Sequence, residues 1–138
     1  MTETRTVHDV KSTSQDDVLY VVSTWPLRRT IDYLAQNNIG LALVVDEQEL
    51  LAGVISERDV VRALYEHGGD ALDMRTAGFM SSSVFTCNGS DSVMNIAEAM
   101  ASRGFRHVPV VDDGYLSGMI SATDLIRFFT GKERVSSS

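Results

Sequence analysis

The stretch GVISERDVVRAL at residues 53–64 has a close counterpart in GMISATDLIRFF at residues 118–129. Five of the twelve positions are identical, and most of the others exchange one apolar residue for another. A pattern that returns after 65 residues indicates an internal repeat. In each copy an apolar run ends in Gly-x-Ile-Ser, and apolar residues at helical spacing follow it. The repeated element is therefore predicted to be a strand that leads directly into a helix.

The similarity extends backwards through most of the chain. The tripeptide VVD occurs at 44–46 and again at 110–112. Further upstream, TVHDV at 6–10 resembles TAGFM at 76–80 as a lead-in to each copy. The repeat therefore fills nearly the whole sequence and is not confined to one motif.

Each copy has the same order of predicted elements: a β-rich run, a helix, two strands joined by a hairpin, and a last helix. This β-α-β-β-α order predicts an α+β fold of two tandem repeats, residues 5–70 and 71–134. One unit of about 60 residues is marginal alone, so the two are expected to pack about a pseudo-twofold axis. The tail VSSS at 135–138 has no core-forming residues and is predicted to be disordered.

Local signals place several of these elements. The first strands are predicted in VLYVV at 18–22 and VFTC at 84–87. Asp-Gly at 113–114 predicts a tight hairpin turn in the second copy. The last helices are predicted over 57–67 and 122–131.

Composition excludes several classes of protein. The net charge of −7 and the absence of basic runs argue against nucleic acid as a partner. The longest strongly apolar run, LALVV, is much shorter than the roughly 20 residues that a membrane span needs. The N-terminus lacks a signal-peptide pattern and Cys87 is the only cysteine, so we expect a cytoplasmic protein.

Residue types that carry catalysis are present but are not arranged for it. The histidines His8, His67 and His107 lie far apart in sequence, and no Cys or His pair has metal-ligand spacing. A Gly-x-Ser-x-Gly elbow and a phosphate loop ending in Gly-Lys-Ser/Thr are both absent from the sequence. We therefore predict that the chain is not an enzyme and uses neither a metal ion nor a catalytic cofactor.

The repeated unit, with its VVD tripeptide and its Gly-x-Ile-Ser-x-x-Asp motif, resembles the CBS domain, named after cystathionine β-synthase. The match is closest in RHVPVVDDGYLSGMISATDLI at 106–126. The resemblance implies a regulatory pair of CBS domains that binds an adenosine-containing ligand in the cleft between its repeats. It also implies a disc-like homodimer and an effector that is another domain or protein. The ligands it implies are AMP, ADP, ATP, NAD or NADH, and S-adenosylmethionine.

The repeated Ser-x-x-Asp has two interpretations. As a helix start, Ser56 with Asp59 and Ser121 with Asp124 are typical of a capping box. As a ligand site, the aspartate accepts ribose hydroxyls and the serine reaches ribose or phosphate oxygens at a helix end that favours anions. The glycine before Ile-Ser leaves room either for a ligand or for a neighbouring backbone.

The second copy carries the more complete predicted site. Arg106, His107, Val108 and Pro109 precede its motif, where the first copy has Gly-Leu-Ala-Leu at 40–43. Pro109 predicts an irregular strand start, because proline lacks an N–H and has a fixed φ. The basic pair Arg106 and His107 belongs either to the ligand site or to a solvated strand edge.

Further site residues follow from the resemblance. It implies that the strand before the motif holds adenine, with Val108 and Ile120 as apolar walls. Thr123 completes the predicted ligand set of the second copy. The first copy has Arg58 where the second has Thr123, and we predict that Arg58 reaches the phosphate of a ligand held mainly by the second copy.

These observations predict a regulatory sensor that binds an adenine nucleotide of the AMP, ADP or ATP type. Two alternatives remain: a CBS pair that binds NAD(H) or S-adenosylmethionine, and a structural dimerisation module with vestigial sites. The expected partners are a second copy of the chain, in a homodimer, and an unidentified effector protein.

Overall fold

The computed structural model describes residues 5–10, 13–14 and 17–131, and of residues 13–14 only the backbone. The regular elements of this part are β1 (Thr13–Ser14), β2 (Tyr20–Val22), α1 (Leu27–Gln36), β3 (Leu41–Val45), β4 (Leu51–Ser56), α2 (Glu57–His67), α3 (Val93–Arg103), β5 (His107–Asp112), β6 (Tyr115–Ser121) and α4 (Ala122–Thr130). The predicted α+β class is confirmed, and both last helices begin at the predicted residue. The predicted tail at 135–138 lies outside the described residues.

The described residues form two compact units, each with its own sheet. Residues 19–84 form one unit, in which β2 is parallel to β3 and β3 is antiparallel to β4. The residues up to 18 and those from 85 onward form the other, with the antiparallel order β1-β6-β5. Each sheet and its two helices enclose a separate apolar core, built around Ile55 in the first unit and Ile120 in the second.

The hairpin turns follow from local sequence. Asp113 and Gly114 join β5 to β6 with φ angles of +55° and +87°. Positive φ at both positions is the geometry of a type I′ turn, which Asp-Gly favours, so this prediction is confirmed. The loop from β3 to β4 is longer, and there the Asp46 carboxylate accepts the N–H groups of Gln48 and Leu50 at 2.9 and 3.0 Å.

Each lead-in segment belongs to the unit of the other repeat. Residues 5–10 lie with the second repeat, where the Val7 N–H donates to the Asp91 carbonyl at 2.9 Å. The segment before the second repeat lies with the first, where the Thr76 N–H donates to the Trp25 carbonyl at 2.9 Å. The sequence repeats and the compact units therefore divide the chain differently.

The two lead-ins align one residue away from the predicted match. The comparison of TVHDV with TAGFM places Thr6 opposite Thr76, whereas the equivalent hydrogen bonds make Val7 the counterpart of Thr76. Both Val7 and Thr76 are buried. The Thr76 hydroxyl donates to the Trp25 carbonyl at 2.9 Å and lies 2.6 Å from the Thr30 hydroxyl. Val7 and Thr76 have side chains of similar size, which fit the same buried position. In Thr76 the two hydrogen bonds satisfy the buried hydroxyl, which valine lacks.

Gly53 on β4 is crossed by the second lead-in. Val54 and Ser81 exchange two backbone hydrogen bonds, each of 2.8 Å. A Cβ atom on Gly53 would overlap the Ser81 carbonyl oxygen and lie 3.1 Å from its carbon. In the other unit, Gly118 pairs with Ser14 of β1 at the corresponding place. The glycine was predicted to leave room either for a ligand or for a neighbouring backbone. In the first repeat the space at Gly53 is occupied by the backbone of Ser81.

The strand predicted at 84–87 is reduced to one parallel bridge, between Cys87 and Val110. The Cys87 N–H donates to the Pro109 carbonyl at 3.0 Å, and the Val111 N–H donates to the Cys87 carbonyl at 2.7 Å. The next bond of this ladder would need an N–H from Pro109, and proline has none. Pairing therefore stops at one residue, whereas the first repeat has no proline there and forms the three-residue β2.

The thiol of Cys87 is part of the second core, with 3% of the residue exposed. Burial raises the pKa of this thiol to about 12, and the nearby carboxylates of Asp91 and Asp112 act in the same direction. The thiol therefore stays protonated at neutral pH and is not a reactive thiolate.

We expect Gly53→Ala to lower the free energy of unfolding by roughly 1–3 kcal/mol, because the added methyl group must displace the Ser81 backbone. Chemical denaturation followed by circular dichroism measures this change. Gly69→Ala is the matched control, since that glycine has open space around its Cα and a φ that other residues adopt. Its stability should stay within about 1 kcal/mol of wild type. Equal stabilities of the two variants would contradict the role of Gly53.

We expect Cys87 to resist thiol reagents in the native protein at pH 8 and to react fully in guanidinium chloride. Because the pKa is higher in the folded state, this group lowers stability as pH rises from 9.0 towards 12. A thiol titration at pH 8, with and without denaturant, measures the first effect. Rapid labelling of the native protein would show that the thiol is accessible.

Candidate nucleotide-binding site

Both Gly-x-Ile-Ser motifs end a strand and begin a helix. Ser56 is the N-cap of α2, and Ser121 is the N-cap of α4. The Ser121 Oγ atom accepts the Asp124 N–H at 3.0 Å, and the Asp124 carboxylate accepts the Ser121 N–H at 2.7 Å. Ser56 and Asp59 form the same reciprocal pair at 3.3 and 2.8 Å. The predicted capping box is confirmed in both copies, and each N-cap serine stabilises its helix by about 1 kcal/mol.

The serine hydroxyls differ in where they donate. The Ser56 hydroxyl donates to Asp59 Oδ2 at 2.9 Å, so its proton is used inside the cap. Among the described residues, the Ser121 hydroxyl has no acceptor and Asp124 Oδ1 has neither a donor nor an ion-pair partner. Asp59 Oδ1, by contrast, lies 3.9 Å from the guanidinium of Arg62. The second copy thus has one free donor and one free acceptor at the start of α4.

Arg106 and His107 lie beside these free groups. His107, the first residue of β5, is opposite Ser121 in the antiparallel register. The Arg106 carbonyl accepts the N–H of Ala122, the first residue of α4, at 2.9 Å. Both side chains are exposed, and in the part of the chain that the structure describes neither forms an ion pair. The backbones of Arg106 and His107 therefore adjoin the start of α4, where the free groups of Ser121 and Asp124 lie.

Two of the predicted contact residues are buried. Val108 and Ile120 pair across β5 and β6, and both are 0% exposed. The apolar walls expected at these positions are side chains of the second core, because they face the helices of the unit and not the solvent. Val108 and Ile120 therefore hold β5 and β6 against the core, and neither side chain has exposed surface that a ligand could contact.

The irregular strand start predicted from Pro109 is wrong. Strand β5 begins at His107 and pairs regularly with β6 until the register shifts between Val110 and Val111. The buried Pro109 directs its carbonyl to Cys87, on the side of β5 away from β6. Its missing N–H therefore interrupts no bond of the hairpin, and the strand stays regular around it.

Thr123 and Arg58 are the second residues of α4 and α2, and both are exposed. A residue at this position extends from the first helical turn, where the N–H groups leave a partial positive charge. The two residues belong to different compact units. That Arg58 reaches a ligand of the second copy stays a prediction.

Glu57, the first residue of α2, is not among the residues predicted from the sequence. Its Oε1 atom lies 2.6 Å from the place where Gly40 would carry a Cβ atom. Its N–H donates to the Gly40 carbonyl at 2.9 Å, as the Ala122 N–H does to Arg106. The repeat alignment contains the signal, because Glu and Gly stand where the second copy has Ala and Arg. At these two positions the first repeat therefore has an acidic residue and a glycine, and the second has an alanine and a basic residue.

The described residues offer neither a metal site nor a membrane span. The described residues hold no group of three or more His, Cys, Asp or Glu side chains that would bind a metal ion. No helix in the same part of the chain has the length and apolarity needed to cross a membrane.

Comparison with known proteins agrees with the fold. The CBS domain family model matches residues 7–66 and 76–131, and the chain belongs to this family. The mitochondrial CBS domain-containing protein CBSX3 of Arabidopsis thaliana is 30% identical over 105 residues, which are 73% of this chain and 51% of CBSX3. The chain spans about half the length of the first curated relatives that it matches.

Solved structures give the same result. CBSX2 from Arabidopsis thaliana superposes with a TM-score of 0.75 at 21% identity, covering 97% of this chain and 100% of its own. A complex of CBSX2 with AMP has a TM-score of 0.74 at 22% identity, covering 94% and 99%. The CBS domain pair of protein MJ0100, in complex with 5′-methylthioadenosine and S-adenosyl-L-methionine, has a TM-score of 0.63 at 26% identity, covering 95% and 100%. The predicted tandem CBS fold is confirmed.

Proposed function

We propose that the chain is a regulatory sensor of adenine nucleotides, with AMP as its main ligand and the second repeat as its main site. One observation carries this proposal: among the described residues, the cap of α4 leaves the Ser121 hydroxyl proton and Asp124 Oδ1 unused, at a helix start that the backbone of the exposed Arg106 adjoins. The complexes of CBSX2 with AMP and of MJ0100 with two adenosine compounds support the ligand class.

The free groups suit the parts of a nucleotide. Asp124 Oδ1 accepts hydrogen bonds from ribose hydroxyls, and the Ser121 hydroxyl donates to a ribose or phosphate oxygen. Thr123 adds a hydroxyl and a first-turn N–H at the helix end that favours negative charge. Arg106 pairs with the phosphate, and His107 bounds the same edge.

The remaining predicted residues take secondary roles in this proposal. Val108, Pro109 and Ile120 hold the edge in place from the core and its strands. Ser56 and Asp59 serve mainly as a cap, because their free groups are already paired with each other. Arg58, which belongs to the other compact unit, stays a predicted second contact for ligands with more than one phosphate.

The number of basic groups separates AMP from its alternatives. One guanidinium at the main edge matches one phosphate, so AMP is preferred to ATP and NAD(H). A ligand with a longer phosphate chain requires Arg58 as a second contact. S-Adenosylmethionine carries no phosphate and would leave Arg106 unpaired. A dimerisation module with vestigial sites would bind none of these ligands.

The proposed activity is regulatory. The ligand changes the shape of the chain or its affinity for an effector protein, and the chain itself catalyses no reaction and uses no metal ion or catalytic cofactor. We place this activity in the cytoplasm. The large acidic excess of the chain gives no attraction to nucleic acid.

We also propose that the chain forms a homodimer through its last helices. Val61 and Leu64 on α2 are 65% and 39% exposed, and Ile126 and Phe129 at the equivalent positions of α4 are 63% and 53% exposed. Exposed apolar residues grouped at helical spacing mark interaction surfaces. Because both repeats carry the same stripe, a second copy of the chain offers the matching surface.

We expect AMP to raise the melting temperature, because a ligand at 100 times its Kd adds about 2.7 kcal/mol of stability. For a chain of this size the shift is roughly 8–13 °C. A thermal-shift panel of AMP, ATP, NAD, NADH and S-adenosylmethionine at millimolar concentration measures it. No shift with any ligand would favour the structural module, and a larger shift with another ligand would replace AMP as the main one.

Matched cap variants test the site within the same panel. Asp124→Ala and Asp59→Ala each remove one capping box, so both should lower the melting temperature of the free protein by a similar amount. Only Asp124→Ala should abolish most of the AMP-induced shift. An equal loss of the shift in both variants would move the site away from the start of α4.

We expect Phe129→Glu to convert the dimer to a monomer, because a charge in the apolar stripe would be buried in the interface. Light scattering after size-exclusion chromatography at micromolar concentration measures the mass. Tyr115→Glu is the control, since Tyr115 is 49% exposed but lies at the β5–β6 hairpin. A monomeric wild-type chain would refute the dimer, and a dimeric Phe129→Glu variant would refute this surface.

A further inference from the structure

Each repeat has an apolar groove between its two helices. In the first repeat the groove lies between α1 and α2, and Val61 lines it. In the second repeat it lies between α3 and α4, where Ile126 and Phe129 line it. We call the first groove, together with the exposed Leu64, the first face, and the second groove the second face. Both faces include the exposed stripes of the proposed homodimer, so a second copy of the chain can pair like faces or unlike faces.

The first face contains a carboxylate, whereas the second face contains none among its described residues. The Glu57 side chain lies over Gly40 and lines the first groove beside Val61. In the part of the chain that the structure describes, Glu57 forms no ion pair. The equivalent residue of the second groove is Ala122, and the described residues that line this groove are all uncharged. The two faces therefore differ in charge although they have the same place in the fold.

This difference disfavours the pairing of like faces. Both pairings cover two Glu57 side chains in a dimer, so the cost of removing them from water is similar. Pairing the first face with itself brings both carboxylates into one apolar interface, where like charges repel each other. Pairing unlike faces places one Glu57 in each of two interfaces, opposite an uncharged surface. A group that destabilises one pairing more than the other selects between them.

Side-chain size favours the same choice. On the last helices, Ile126 stands at the place of Val61 and Phe129 at the place of Leu64, so the second face has the larger residue at both exposed positions. Like pairing collects the large residues of both copies in one interface and the small residues in the other. Unlike pairing combines large with small residues in both interfaces, and facing layers interdigitate best in this way.

We infer that two copies of the chain associate through unlike faces, with the first face of one copy packed on the second face of its partner. This inference rests on the proposed homodimer and specifies which of its surfaces meet. A twofold axis forms the same contact twice, so that all four faces are covered and no third copy is needed.

A charge exchange on the stripes separates the two pairings. Leu64→Lys combined with Phe129→Glu places opposite charges in each interface if unlike faces meet, and like charges in each interface if like faces meet. Leu64→Glu combined with Phe129→Glu is the matched control, because its charges repel in either pairing. Sedimentation equilibrium at low salt should give a dimer dissociation constant at least about tenfold lower for the first variant than for the control. High salt should reduce this difference.

A second pair of variants repeats the comparison at other positions of the same stripes. Val61→Lys with Ile126→Glu is compared with Val61→Glu with Ile126→Glu, and the opposite charges should again give the tighter dimer. Both positions are exposed, and circular dichroism of each variant shows whether the chain is folded.

The outcomes distinguish the inference from the proposed homodimer. If wild type is a dimer and the opposite-charge and like-charge variants dissociate equally, like faces meet and the inference is wrong, while the homodimer stands. If all variants dimerise as tightly as wild type, these faces lie outside the interface and the inference is also wrong. A monomeric wild type would refute both the homodimer and the pairing of its faces. The thermal-shift panel measures AMP binding separately in every case.

Discussion

The backbone pairing of Val54 with Ser81 depends on the absence of a side chain at Gly53. Any Cβ there would occupy the space of the Ser81 carbonyl, and the lead-in segment would no longer reach β4. The same arrangement brings β1 to Gly118 in the other unit. Each sheet therefore gains an edge strand or bridge from the segment that precedes the other repeat. A repeat cut out at its sequence boundaries would lack the segment that covers its own sheet.

The Ser-x-x-Asp motif shows how a structural element and a binding site share the same atoms. In both copies the serine and aspartate close a capping box, which satisfies two backbone N–H groups. The groups left over by the cap differ between the copies. The Ser56 hydroxyl also donates to Asp59, whereas Ser121 and Asp124 leave a donor and an acceptor without a partner in the part of the chain that the structure describes. The ligand proposal depends on these free groups and not on the presence of the motif.

Duplication within a CBS pair thus allows its copies to diverge without a change of fold. The helix starts superpose in backbone hydrogen bonding, yet one is bordered by Glu57 and Gly40 and the other by Ala122 and Arg106. Glu57, Gly40 and Arg106 are exposed, so these positions change at a low cost in stability, whereas Ala122 packs against the second core. The core positions of the same strands do not have this freedom, because Ile55 and Ile120 are both fully buried.

The repeat, the order of the elements and the capped starts of α2 and α4 were all predictable from the sequence, because periodicity, Asp-Gly turns and Ser-x-x-Asp caps are local signals. Local signals did not reveal the exchange of lead-in segments or the reason for Gly53. They also misplaced the lead-in alignment by one residue and predicted a strand at 84–87 that Pro109 limits to a bridge. Each of these depends on which distant backbone lies alongside, and such contacts form only in the tertiary structure. The candidate site depends on both kinds of information. Ser121 and Asp124 were predicted from the sequence, but only the tertiary structure decided which of their atoms stay without a hydrogen-bond partner among the described residues.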